Sequence, residues 1–257
     1  PGPFGDEQCA YLRVGAYIRR AFAPFKRETS QKSGVLACSE PVLDRSLPTM
    51  SIVARSLSEN DQSALLAAVG ECLKAAPFFR PVLPRWGTPF SVQMSNAGPL
   101  GWVADKSGYR YQPLHPVTGS PWPPIPQMLL DLWGEFTDYP APPEACLINH
   151  YAPTARMGLH QDRDEEDFDA PVLSVSLGDE ARFRLGGLER KGPTTSTLLK
   201  SGDVMLLEGE TRLAFHGVDR IYPGTSTLLD EFAELFPGGG RVNLTLRRVT
   251  VPEKKLA

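Results

Sequence analysis

The sequence holds little of what metal and disulfide chemistry draw on. Histidine occurs only four times in 257 residues. Cysteine also occurs four times, at Cys9, Cys38, Cys72 and Cys146. The cysteines show neither C-x-x-C spacing nor a disulfide framework, so reduced thiols in a cytoplasmic compartment are expected. No apolar run approaches the roughly 18 residues that suggest a membrane-spanning helix, so no membrane partner is expected. The net charge of −3 excludes a global basic field. Any nucleic-acid partner would have to meet a local basic surface. What is present, 41% hydrophobic and 22% charged residues, suits one globular domain with additions. A monomer is expected.

Residues 1–50 are poorly patterned. Arg13, Arg19, Arg20, Lys26 and Arg27 gather there, but Asp6 and Glu7 argue against a targeting peptide, so this is read as a partly ordered extension. A helix is predicted from Ser58, where Ser-x-x-Asp61 resembles a capping box. Leu65, Leu66, Val69 and Leu73 form its apolar face, and Pro77 ends it. From Pro77 to Trp122 the chain is rich in proline, glycine and aromatics, with Arg80, Arg85, Lys106 and Arg110 interspersed and a short strand over Phe90–Met94. Such a surface suits stacking onto unpaired bases, and equally a satellite core. Pro123-Pro124-Ile125-Pro126 opens a second helix, carrying Met128, Leu129, Leu132, Trp133 and Phe136 on one side.

From Ala145 onward the pattern turns to β. Strands are predicted over residues 145–151, 171–177, 182–185, 196–199, 204–208, 213–216 and 241–249, separated by turns such as Gly186-Gly187 and Gly202-Asp203. Many short strands of this kind suggest a closed or double-sheet architecture, mainly β with flanking helices. One late segment, Leu228, Leu229, Phe232, Leu235 and Phe236, has helical spacing before Pro237 and three glycines.

Two stretches carry chemistry. In His160-x-Asp162, strand geometry would place both side chains on one face, within reach of one metal ion. A third ligand has to come from His115, His150 or His216, and His216, after an alternating segment, is the best placed. Two histidines and a carboxylate make the facial triad of non-haem Fe(II), with positions left open. In the last strand Arg241, Asn243, Thr245 and Arg247 share a face opposite Val242, Leu244 and Leu246. The polar face of most sheets sees solvent, yet a barrel interior can hold a ligand, and two guanidinium forks suit a dicarboxylate. Asn149 and Tyr151 share a strand face and offer neutral hydrogen bonds. A facial triad beside such a site specifies a 2-oxoglutarate-dependent Fe(II) oxygenase.

The motifs Leu147-Ile148-Asn149-x-Tyr151-Ala152-Pro153, His160-Gln161-Asp162-x-Asp164-Glu165, Ala170-Pro171-x-x-Ser174-Val175-Ser176-Leu177-Gly178 and Arg241-x-Asn243-Leu244-Thr245-x-Arg247 together resemble the AlkB family of nucleic-acid dealkylating oxygenases, bacterial members most of all. The likeness runs from about Ser91 to Val249. It implies a double-stranded β-helix (jelly-roll) core over about residues 145–257 and an N-terminal nucleotide-recognition lid over about 77–122, both within a domain spanning 51–257. It implies Fe(II) on His160, Asp162 and His216. It also implies 2-oxoglutarate on Arg241 and Arg247, helped by Asn149, Tyr151 and Asn243. By the same resemblance Met94, Trp102, Tyr109 and Arg190 would contact the damaged nucleotide, with Trp102 stacked on the base opposite His160. Asp164 and Glu165 would face the exocyclic amine of methylated adenine or cytosine. The implied substrate is alkylated DNA, single-stranded by preference, with RNA left open. The alternative is the same chemistry on a protein or small molecule. Two departures stand out: Leu83-Pro84-Arg85-Trp86-Gly87-Thr88-Pro89 lacks the Gly-Gly-Tyr pattern frequent in bacterial members, and Gly224–Gly240 is longer than usual, expected to pack outside the core.

Overall fold

The computed structural model describes residues 51–53 and 57–253; the extension expected over residues 1–50 lies outside the described residues, as do Cys9 and Cys38. Two antiparallel sheets face each other. The major sheet runs β1 (Ser51–Val53), β10 (Val204–Leu207), β7 (Val172–Gly178), β12 (Arg241–Arg247), β5 (Ala145–Tyr151) and β2 (Gln93–Ala97). The minor sheet runs β6 (Met157–His160), β11 (His216–Tyr222), β8 (Glu180–Gly186) and β9 (Thr194–Leu199). A separate hairpin pairs β3 (Gly101–Asp105) with β4 (Gly108–Gln112). This is the expected jelly roll.

The two-residue period of the strands divides the interior into two cores. Leu147 and Tyr151 of β5, Val172 of β7 and Met205 and Leu207 of β10 meet Phe183, Leu185 and Val218 of the minor sheet between the sheets. Their alternates, Ile148, Leu173, Val175, Val242, Leu244 and Leu246, face outward into a second core. That outer core is closed by α1 (Glu59–Ala75) through Leu65, Leu66 and Val69, and by α2 (Gln127–Phe136) through Leu129, Leu132 and Trp133. Both faces of the major sheet are therefore buried, and β12 can turn Arg241, Asn243, Thr245 and Arg247 inward because its other face satisfies the hydrophobic requirement.

Local chemistry sets the helix starts. Ser58 Oγ accepts the Asp61 N–H at 3.2 Å, and its hydroxyl donates to Asp61 Oδ2 at 2.6 Å, so the predicted cap forms. A serine cap of this kind is worth about 1 kcal/mol. The prolines of 123–126 do not fill the first turn of α2. Pro126 is the N-cap and the helix opens at Gln127; Ile125, which precedes Pro126, is pushed toward extended backbone and stays outside the helix.

Most predicted strands agree with the structure to within two residues, with two larger differences. The strand expected over residues 213–216 starts only at His216 and continues to Tyr222, after a 3₁₀ turn at Gly209–Thr211. The short strand expected at Phe90 begins at Gln93. The late segment with helical spacing holds only one 3₁₀ turn, Asp230–Phe232. Leu229 and Phe236 are buried in the outer core, so the apolar spacing records packing from outside the major sheet, the placement expected for this longer stretch. Gly240 returns the chain to β12 at φ +97°, and a Cβ there would lie 2.2 Å from the Tyr151 carbonyl oxygen. Only glycine fits.

Candidate active site

His160 closes β6 and His216 opens β11, and the two are direct cross-strand partners. Directly opposed antiparallel residues have adjacent side chains, and the two imidazole centroids lie 4.5 Å apart. Asp162 is not a strand residue, contrary to the i, i+2 expectation; β6 ends at His160. The loop nevertheless brings its carboxylate to both rings, Oδ1 3.5 Å from His160 Nε2 and Oδ2 3.5 Å from His216 Nε2. The three ligand atoms lie within 4.8 Å of one another. Each imidazole has its other nitrogen against a backbone carbonyl: His160 Nδ1 is 3.0 Å from Gly158 O, and His216 Nδ1 is 2.9 Å from Ala214 O. Carbonyls at those positions favour the Nδ1–H tautomer and leave the Nε2 lone pairs for a metal. Phe183 stacks on the His216 ring at 5.8 Å and 24°. The other two histidines sit elsewhere, His115 on Pro77 O and His150 on Gly239 O.

Burial pushes the Asp162 carboxyl up. The Arg247 guanidinium and the His216 imidazole outweigh it and hold the group well below the usual carboxylate range. Arg247 Nη2 stands 2.7 Å from Asp162 Oδ1. The aspartate is thus ionised and ready to bind a cation.

Between the sheets lies a cavity of about 640 Å³, lined by the triad and by Asn149, Tyr151, Arg241, Asn243 and Arg247. The register of β5 against β12 sets Arg241 opposite Tyr151 and Asn243 opposite Asn149, so the five residues expected to hold 2-oxoglutarate do meet. The two arginines differ in state. Arg247 gives Nη2 to Asp162 and Nη1 to Glu165 Oε1 at 2.8 Å. Arg241, with no exposed surface, donates to the Ser176 hydroxyl at 2.5 Å and lies 3.5 Å from the Asp179 carbonyl oxygen, with no carboxylate beside it. Burial lowers its pKa to about 10. Arg241 Nε, Arg247 Nε and Asn149 Oδ1 are buried without a hydrogen-bond partner. The two guanidinium Nε–H groups are buried donors without acceptors, which are rare in folded proteins, and a carboxylate-bearing ligand is what those two lack. The residues present fit Fe(II) and a dicarboxylate.

The residues expected to meet substrate divide. Met94, Trp102, Tyr109, Asp164 and Arg190 all line the cavity. Trp102 stacks on Tyr109, at 5.7 Å and 16°, and its indole N–H donates to Asp164 Oδ2 at 2.8 Å. Glu165, expected beside the exocyclic amine, does not line the cavity. It is buried, accepting from Tyr111 Oη, from Arg247 and from Arg212 Nη2 at 3.1 Å. Burial raises its pKa, and Arg247, then the Tyr111 hydrogen bond and Arg212, bring it below the ordinary value despite the nearby Asp162 charge.

Two residues of this network escaped sequence reasoning. Tyr111 lies on β4 beyond the predicted contacts, and Arg212 is fully buried, donating to the Ala170 and Asp162 carbonyls at 2.7 Å each. A buried arginine reveals itself only through acceptors distant in sequence, and those close in space only after folding. Tyr111 did carry a signal: two residues from Tyr109, it shares that residue's face of β4.

The fold and the triad define a class, the 2-oxoglutarate-dependent Fe(II) oxygenases. The 2OG-Fe(II) oxygenase superfamily matches over residues 49–247. An alpha-ketoglutarate-dependent dioxygenase AlkB homolog of Caulobacter vibrioides is 56% identical over 187 residues, covering 73% of this chain and 81% of that protein. The alpha-ketoglutarate-dependent dioxygenase AlkB of Escherichia coli is 39% identical over 201 residues, covering 77% and 89%. Among solved structures, OsALKBH1 superposes with a TM-score of 0.62 at 32% identity, over 78% of this chain and 98% of that one. The chain belongs to the AlkB family of 2OG-Fe(II) dioxygenases. It is an enzyme whose cofactors are Fe(II) and 2-oxoglutarate. Among the described residues no helix is long and apolar enough to cross a membrane.

Proposed function

We propose that the enzyme removes alkyl groups from N-alkylated bases in nucleic acid. The substrates are bases such as 1-methyladenine and 3-methylcytosine in DNA, single-stranded by preference, with RNA also accepted, and the enzyme acts as a monomer. Bound Fe(II) and 2-oxoglutarate supply an oxidation by O2 that converts the cosubstrate to succinate and CO2. The observation that carries the substrate class is the wall of the cavity. Trp102 and Tyr109 are stacked there, and the Trp102 indole holds the Asp164 carboxylate.

The remaining steps belong to the chain. A flipped base lies between His160 and the Trp102–Tyr109 pair, where an aromatic face stabilises the positive charge that N-alkylation confers. Asp164, turned by its indole hydrogen bond, adds an anion that favours that charge and accepts from an exocyclic amine. Extruding the base from a stack costs a few kcal/mol, least in single strands and damaged pairs. Residues 77–122, including the β3–β4 hairpin that carries Trp102 and Tyr109, act as the nucleotide-recognition lid. Hydroxylation of an N-linked methyl gives an unstable hemiaminal that collapses to the repaired base and formaldehyde.

The test is a mass-spectrometric assay on single-stranded oligonucleotides carrying 1-methyladenine or 3-methylcytosine, with Fe(II), 2-oxoglutarate and ascorbate. Methyl loss dependent on both cofactors and abolished by Asp162→Ala is expected. Succinate formation without repair of any methylated oligonucleotide would turn the search to protein or small-molecule substrates.

A further inference from the structure

Of the four tryptophans, three are buried and Trp86 is 68% exposed. It sits at the tip of a tight loop. The Leu83 carbonyl accepts the Gly87 N–H at 2.7 Å, and the Leu83 N–H donates to Thr88 O at 2.9 Å. Below the tip, Val82 pairs with Pro89 and donates to Ala104 O of β3 at 3.0 Å. Gly87 makes the turn at φ +65°, and a Cβ there would lie 3.8 Å from Lys106 Cε, so this tip stands beside the β3–β4 turn. The Arg85 guanidinium lies 4.5 Å over the Trp86 ring.

Position and charge point to the occupant. Leu83 and Pro89, three residues either side of Trp86, both line the cavity, and Trp86 itself lies beyond that lining. The target base's own aromatic wall is further in, at Trp102 and Tyr109. Residues 72–104 contain Lys74, Arg80 and Arg85 and no acid at all. Lys74 is paired with Glu71, but Arg85 and Lys106 beside the ring are in no ion pair among the described residues. An exposed aromatic beside two such cations fits a nucleotide, which offers a π face and a phosphate, better than an apolar protein partner.

We propose that Trp86, with Arg85 and Lys106, forms a second stacking subsite for the nucleotide next to the target base. Trp86 takes that base on its ring, and the two cations face the intervening phosphate. The proposal rests on the nucleic-acid reading above. It gives the loop that departs from the Gly-Gly-Tyr pattern a function: gripping the strand that a flipped base leaves behind.

A thermodynamic cycle tests it. The full chain, loaded with 2-oxoglutarate and with Mn(II) in place of Fe(II), is titrated with fluorescent oligonucleotides bearing one 1-methyladenine. Each neighbouring position in turn is occupied by a base or by an abasic residue. Wild type is expected to lose roughly 5- to 150-fold in affinity when the base on one side is removed, the range of one stacked base. Trp86→Ala is expected to bind the intact oligonucleotide as weakly as wild type binds the abasic one and to be indifferent to the abasic substitution; Trp86→Phe recovers part of the loss. If Trp86→Ala binds as tightly as wild type, or loses the same factor on every oligonucleotide, the subsite is overturned while nucleic-acid binding stands. Failure of wild type to bind any oligonucleotide would overturn the nucleic-acid reading and the subsite together.

Discussion

Replacing Arg241 by methionine should have opposite effects on stability and on ligand binding. The guanidinium is fully buried, and its pKa falls to about 10 from 12.5 because burial disfavours the charge more than Tyr151 and the Asp203 carboxylate offset it. At 1.36 kcal/mol per tenfold change in proton affinity, that fall corresponds to roughly 3 kcal/mol of destabilisation in the ligand-free protein. The sign follows from the lowered pKa of a cation: below pH 10 the group is protonated in both folded and unfolded chains, so the penalty applies in full at pH 7 and fades only at higher pH. An apolar side chain of similar length removes it. Ligand-free Arg241→Met is therefore expected to melt at or above the wild-type temperature, at about 2–4 °C per kcal/mol for a domain of this size. In wild type, 2-oxoglutarate at a hundredfold excess over its Kd adds about 2.7 kcal/mol. Losing one member of a buried charge pair costs about 2–5 kcal/mol, so the variant should bind 2-oxoglutarate some 30-fold to several thousandfold more weakly and lose about two thirds or more of the shift at the same concentration. The assay is a thermal melt with Mn(II), with and without 2-oxoglutarate. A variant that melts well below wild type without ligand, or keeps the full shift with it, refutes the assignment and makes Arg241 structural.

Trp102→Phe keeps an aromatic wall but removes the donor to Asp164 Oδ2. Affinity for 1-methyladenine oligonucleotides should fall by about 1–2 kcal/mol, measured by titration, with metal and 2-oxoglutarate binding unchanged; equal loss of metal binding would contradict the lid assignment. Glu165→Gln leaves Arg247 and Arg212 short of a shared carboxylate, so it should lower stability by about 3–5 kcal/mol in chemical denaturation. It should also raise the KM for 2-oxoglutarate more than the KM for the oligonucleotide; the reverse pattern would restore Glu165 to the base pocket. Gly240→Ala forces a Cβ against the Tyr151 carbonyl at positive φ. Backbone strain alone should cost about 1–3 kcal/mol, and a variant as stable as wild type would show that the turn before β12 can relax.

The legible parts of the molecule were those where one residue's role depends on its near neighbours. The alternation of β12 was readable because period two is local, and the third member of the triad because so few histidines competed. The polar face of β12 turned inward, as the dicarboxylate reading required, since Val242, Leu244 and Leu246 found helices to cover them. Illegible were features created by long-range pairing. Asp162 reaches the metal position from a loop, which an i, i+2 rule misdescribes. Glu165 has the right spacing for a base contact, yet three partners drawn from β4, β12 and the approach to β11 hold it in the interior. The apolar spacing of residues 228–236 mimicked a helix because both a helix and an outer-core strap must present one face inward.

Arg212 has a consequence for assembly. Its three nitrogens fasten the Asp162 backbone, the Glu165 carboxylate and the Ala170 backbone, and it sits four residues before His216. The approach to His216 thus carries the clamp that fixes the Asp162 loop. A nascent or partly unfolded chain in which β11 has not docked beside β6 lacks both His216 and the Arg212 fastening of the Asp162 backbone, leaving Asp162 held by Arg247. The docking of β11 thus completes the triad and steadies its loop together. An opened chain offers a metal fewer of the three side chains than the closed one does.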